Sequence, residues 1–117
     1  MNFMPEILSL FLPEVLVDNF KLIKHEKEAE VLHLYFEELI DKPKEYISLK
    51  LHSKGFHKEL TIQDFPIRGL KVYLHIKRRR WIDIDTKKIV ERDWSLVAQG
   101  TRITTEFSAF LKQINNY

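Results

Sequence analysis

Leu70-Lys71-Val72-Tyr73-Leu74-His75-Ile76-Lys77-Arg78-Arg79-Arg80-Trp81 is the stretch whose reading decides the fold. Leu70, Val72, Leu74 and Ile76 alternate with Lys71, Tyr73, His75 and Lys77. That period of two marks a strand with one apolar face and one polar, basic, aromatic face. The chain reads as extended onward through Trp81, Ile82 and Ile84. If the alternation persists, Arg79 shares a face with Lys77 and Tyr73. Arg78 and Arg80 then lie with Ile76 unless a bulge re-aims them.

On the upstream side, residues 56–65 read as a strand, with Leu60 and Ile62 on one face and Thr61 and Gln63 on the other. Pro66-Ile67-Arg68-Gly69 is a connector with turn chemistry. On the downstream side, Asp85-Thr86-Lys87-Lys88 closes a turn and residues 89–94 return as a strand. Residues 56–94 therefore read as a small antiparallel meander.

The flanks read differently. Ile7, Leu8, Phe11, Leu12, Val15 and Leu16 recur at the spacing of one helix face. Pro13 interrupts them, so residues 5–20 are expected to form two short helices, with Pro13-Glu14 opening the second. Residues 20–25 read as a short strand and Glu26-Lys27-Glu28 as a turn. Residues 30–37 place apolar side chains at both parities, as in a strand covered on both faces. Residues 44–53 fit a loop or short strand. Thr104 reads as the cap of a C-terminal helix with a stripe of Phe107, Phe110, Leu111 and Ile114. The expected class is α+β: an N-terminal helix or helix pair, an antiparallel β-meander and a C-terminal helix.

At 117 residues and 44% hydrophobic content, the chain has the make-up of one globular domain. It has no cysteine, which rules out disulfides, thiolate zinc sites and a cysteine nucleophile. No apolar run approaches the ~20 residues of a membrane span. Nor does the start resemble a signal peptide, so a cytoplasmic protein with no membrane contact is expected. The net charge of +2 hides an asymmetry. Residues 1–45 hold five Lys/Arg and ten Asp/Glu, while residues 46–117 hold fourteen and seven. The two parts, acidic and basic, are expected to belong to one compact domain. Such an imbalance points to an anionic partner for the basic half.

Catalytic patterns are missing. Three glycines leave no room for a Gly-rich phosphate cradle, and no G-x-S-x-G elbow is present. Asp83 and Asp85, with Asp64 and Asp93, read as turn and hairpin-end residues. His25, His33, His52, His57 and His75 lack the spacing of a zinc site. No metal and no cofactor are expected. What remains is the basic strand: Arg68, Lys71, Lys77, Arg78, Arg79 and Arg80 interleaved with Tyr73 and His75. Guanidinium forks match phosphates bidentately and rings stack on bases, so these eight residues are the candidate DNA-binding set. Lys54, Lys58 and Arg102 form a second tier. The competing reading buries Trp81 and Trp94, with the arginines packed over them.

Five phrases carry a family resemblance. They are Ser-Lys-Gly-Phe (53–56), Thr-Ile-Gln-Asp-Phe-Pro-Ile-Arg-Gly (61–69), Val-Tyr-Leu-His-Ile-Lys-Arg-Arg-Arg-Trp (72–81), Glu-Arg-Asp-Trp-Ser-Leu-Val-Ala-Gln-Gly-Thr-Arg (91–102) and Phe-Ser-Ala-Phe-Leu-Lys (107–112). Together they resemble the N-terminal region of bacterial insertion-sequence transposases of the ISAon type, relatives of the ISL-three group. The resemblance implies a zinc-ribbon-like meander that has lost its cysteines and its metal, with Trp81, Ile82, Ile84, Val90 and Trp94 packing in its place. It also implies a non-catalytic piece that recognises transposon terminal repeats, since DNA cleavage belongs to a separate acidic-triad domain. The alternative implied role is a protein-interaction module that docks the catalytic transposase subunit or forms a homo-oligomer.

Overall fold

A computed structural model describes residues 12, 14–92 and 112. One short helix, α1 (Glu14–Asn19), leads into seven strands: β1 (Phe20–Glu28), β2 (Val31–Glu38), β3 (Leu51–Phe56), β4 (Leu60–Ile67), β5 (Leu70–Lys77), β6 (Arg79–Asp83) and β7 (Ile89–Val90). A single 3-10 turn, Lys44–Tyr46, lies between β2 and β3. The architecture is mostly β, which corrects the α+β expectation. From residue 14 to residue 92, α1 and the 3-10 turn are the helical elements. The helix expected from Thr104 falls outside the described residues, Lys112 aside, as does the first of the two N-terminal helices.

The strands form two sheets, with orders β1-β2-β5-β4 and β3-β6-β7. This corrects the single ribbon-like meander as well. β4 and β5 form an antiparallel hairpin, but β5 also pairs in parallel with β2, from Val31↔Lys71 to Glu37↔Lys77. β6 and β7 belong to the second sheet, where β6 pairs with β3. The reason lies at Arg78. The chain leaves the first sheet after Lys77, passes through Arg78 outside any strand, and enters the second sheet at Arg79. Hydrophobic alternation reads straight through this exchange and cannot register it.

The β4–β5 turn consists of Arg68 and Gly69, with φ of +50° and +81°. Two left-handed residues in a two-residue loop match the right-handed twist of the strands, and glycine takes that conformation without strain.

Residues 20–38 form a hairpin because their apolar side chains fall on alternate positions. Phe20, Leu34 and Phe36 face inward with Ile62, Val72, Leu74 and Ile76, and Leu12 and Leu16 close the core. Val72, Leu74 and Ile76 are fully buried. Each contributes about 1.5–3 kcal/mol through removal from water. The other face of β2, read above as apolar, carries His33 and Tyr35 instead.

No helix among the described residues is long and apolar enough to cross a membrane.

Candidate functional site

The three consecutive arginines meet three different fates. Arg78 is 1% exposed, and its Nη1 lies 4.0 Å from Glu91 Oε2. Arg79 turns toward the seam between the sheets. Its Nη1 donates to Ser53 Oγ at 2.6 Å and its Nη2 to the Glu38 carbonyl at 3.0 Å. Its Nε sits 3.3 Å from the Glu38 and Leu39 carbonyls, and its guanidinium lies 4.6 Å from the Phe56 ring centroid. Arg80 alone lies on the outward face of β6.

The alternation explains the split. Trp81 and Asp83, at 3% and 5% exposed, point inward from β6. Arg80 and Ile82 therefore point outward. Across the register, Ser53 opposes Trp81 and His52 opposes Ile82, so His52 and Lys54 join Arg80 on the outer face. Lys50 precedes β3 and its carbonyl accepts from the Ile84 N–H at 2.9 Å. Lys87 and Lys88 occupy the turn into β7. Lys50, Lys54 and Arg80 thus fall at outward positions, while Lys87 and Lys88 lie exposed at the β6–β7 end of the sheet, Lys88 opposite Asp83. Asp85 is the exposed acid of that turn, and half-exposed Glu91 follows β7 at the position across from Arg80.

The other candidate residues are dispersed. Lys71, Tyr73, His75 and Lys77 share the outer face of the four-stranded sheet, and Arg68 sits in the turn at its end. This face is electrically balanced: Lys21, Lys24, Lys71 and Lys77 stand among Glu26, Glu28, Glu37 and Glu59. Its centre is a zigzag of rings. Tyr73 stacks on His33 with centroids 5.6 Å apart, His33 meets His75 at 5.0 Å, and His75 stacks on Tyr35 at 4.3 Å. Lys24 Nζ lies 4.5 Å from the Tyr35 centroid. The ring faces are turned to one another, so this row offers a ligand mainly its edges. Desolvation first, and then the Glu26 carboxylate, raise the Tyr35 phenol above its usual range, which keeps it protonated.

The seam between the sheets holds two more groups whose proton affinity is shifted, Glu38 and His57. Glu38 is 1% exposed and accepts from the Arg79 backbone N–H at 2.9 Å and from Arg92 Nε at 3.2 Å. Burial outweighs these donors and raises its carboxyl above the usual range. His57 Nε2 lies 2.7 Å from Glu91 Oε2, yet desolvation, aided by Arg78 and Arg80, lowers its basicity below the usual imidazole value.

Lys50, His52, Lys87 and Lys88 were not among the sequence candidates, and Lys54 stood only in the second tier. Their signal was weak because they come from two separated segments that only the β3–β6 pairing joins. Among the described residues no group of three or more His, Asp or Glu side chains converges as a metal site would require. Comparison with known protein families finds no match, and neither do comparisons with characterised proteins or with solved structures.

Proposed function

We propose that the chain is the non-catalytic N-terminal part of an insertion-sequence transposase of the ISAon type. It binds the DNA of the element's ends, leaving cleavage and strand transfer to a separate catalytic domain, and it works in the cytoplasm. The sequence phrases between Ser53 and Lys112 support the family reading. One structural observation supports the mode of binding: the β3–β6 pairing brings Lys50, Lys54 and Arg80 to the outward side of one sheet, with exposed Lys87 and Lys88 at its end. Five cations against Asp85 and Glu91 leave a local positive potential, which attracts phosphates within a Debye length of about 8–10 Å. Arg68, Lys71 and Lys77 lie on or beside the balanced face and contribute less. Arg78 and Arg79 act through the fold, by holding the strand that carries Arg80.

The face carries no Tyr, Trp or Phe at its outward strand positions, so phosphate contact dominates over base reading. Fluorescence anisotropy on duplexes carrying the terminal repeats tests the assignment. The double variant Lys54→Glu/Arg80→Glu should weaken binding at least tenfold. Lys71→Glu/Lys77→Glu should change it by less than threefold. The reverse ranking would move the site to the other sheet, and equal binding by all variants would remove the DNA reading.

A second reading, docking to the catalytic subunit or to another copy, is favoured by Ile40 and Ile47, which are 68% and 79% exposed. Light scattering on the chain with and without the catalytic protein separates it. A monomer that ignores the catalytic protein would count against docking.

A further inference from the structure

β3 carries an extra residue within the cationic face. Ser53 pairs with Trp81 and Phe56 pairs with Arg79, so Lys54 and Gly55 together stand opposite Arg80 alone. Two residues against one make a β-bulge, which bends its strand and re-aims the side chains beside it. Gly55 sits there exposed, at a φ of +75°, and a Cβ at this position would meet nothing within 4 Å. Lys54 is exposed too, and neither Lys54 nor Arg80 has a hydrogen-bond or ion-pair partner among the described residues.

The bulge is braced from behind. Arg79 Nη1 donates to Ser53 Oγ at 2.6 Å, and the same guanidinium lies 4.6 Å from the Phe56 ring centroid. One side chain therefore holds the residue before the bulge and the residue after it. Arg79 is itself fixed, with Nη2 donating to the Glu38 carbonyl at 3.0 Å and its backbone N–H to Glu38 Oε1 at 2.9 Å. A glycine inside a strand marks a bulge or a place where something approaches the backbone closely. The left-handed φ excludes bulky and β-branched residues, but asparagine would satisfy it. The braced ends, the open space and the two unpaired cations point to close approach as well.

Resting on the DNA reading above, we propose that this bulge is where one DNA strand lies on the protein. Lys54 and Arg80 take neighbouring phosphates, and the sugar–phosphate chain between them passes over the bare backbone of Gly55. Arg79 is a positioning residue: it touches no phosphate and keeps the bulge in shape. Glu91 is the acid closest in register, across from Arg80 on the β7 side. Its Oε2 lies 2.7 Å from His57 Nε2, so that oxygen is engaged by the imidazole. Contacts of this kind carry no base sequence, so the seat accepts any duplex.

The test uses the full chain and a duplex of arbitrary sequence, with binding read by fluorescence anisotropy across a salt series. Gly55→Asn accepts the left-handed backbone, adds no charge and fills the open space. It should keep the melting temperature within about 5 °C of the wild type. It should nevertheless weaken binding by about fivefold, the order expected of one exposed ion pair. The slope of log K against log salt should shrink in magnitude by about 1–2. A change of slope without a change of charge means phosphates moved off the seat, which lost stability alone would not give. Arg79→Lys keeps the charge but frees Ser53 and Phe56, and should shift the slope the same way at a temperature where it is folded. Unchanged affinity and slope in Gly55→Asn, with a wild type that binds, would overturn the seat and leave the cationic face standing. A wild type that does not bind the duplex would overturn both. If Gly55→Asn does not fold, amide NMR of the wild type decides. The Lys54 and Gly55 signals should be among the most shifted on adding the duplex, and their silence would overturn the proposal.

Discussion

Arg92 reaches Glu38 across 54 residues of sequence, with Nε 3.2 Å from Oε2 of a carboxylate that is 1% exposed. The pair ties the end of β2 to the residues after β7, and the Arg79 N–H at the start of β6 donates to the other carboxylate oxygen. Both sheets thus meet on one carboxyl group. Removing one partner of a buried ion pair leaves an uncompensated charge. Glu38→Ala should therefore destabilise the protein by about 3–5 kcal/mol in urea unfolding.

The same carboxyl makes a pH prediction. Burial raises its proton affinity in the folded state above that in the unfolded chain. A raised carboxyl contributes stability that is complete below the unfolded value and is lost as pH rises through the folded one. The stability of the wild type relative to Glu38→Gln should accordingly fall between pH 4 and pH 7. A difference that grows with pH would show that the donors outweigh burial.

Arg79 and Arg80 are neighbours in sequence and opposites in role. Arg79 engages Ser53, two carbonyls and the Phe56 ring. A lysine ammonium cannot reproduce that fork, so Arg79→Lys should cost about 2 kcal/mol of stability. Arg80→Ala should stay within about 0.5 kcal/mol, as surface substitutions do, while weakening DNA binding. Chemical denaturation of the two variants side by side checks this. Equal losses would mean that Arg80 is also held in the seam.

His57 carries a second pH signature. Its basicity is depressed in the folded state, chiefly by desolvation. Such a group contributes stability present above the ordinary histidine value of about 6.5 and lost as pH falls through the depressed folded value. His57→Gln should reduce the loss of stability that the wild type shows on acidification from pH 7 to pH 5. An unchanged profile would assign that loss to other groups.

The core gives a prediction free of electrostatics. Leu74 is fully buried in the central strand, between Leu34 and Ile62 in register. Leu74→Ala should destabilise by about 2–5 kcal/mol, whereas Ile47→Ala, at a position 79% exposed, should not be detectable. Melting curves of the two variants suffice.

How far the sequence could be read depends on which interactions are local. The β5 strand at Leu70–Lys77 is legible because its two faces differ at every step. The Arg68-Gly69 turn is legible from its chemistry. The β2–β5 parallel pairing is not, because it joins segments some forty residues apart and leaves no periodic trace. Arg78, Arg79 and Arg80 show the limit most clearly. Identical in type and adjacent, they are sorted by one residue that leaves the first sheet before the second begins. Composition places cations there, and only topology decides that Arg80 faces outward while Arg79 meets Ser53. The same absence of non-local information makes residues 56–94 read as one meander, where the chain builds two sheets.

The most direct measurement is the salt dependence of binding to terminal-repeat DNA. If Lys50, Lys54, Arg80, Lys87 and Lys88 each neutralise a phosphate, log K should fall against log salt with a slope of about −4 to −5. Replacing Lys54 and Arg80 by alanine should bring that slope to about −3. Binding that does not respond to salt, or a slope that the two substitutions leave unchanged, would contradict the cationic-face account.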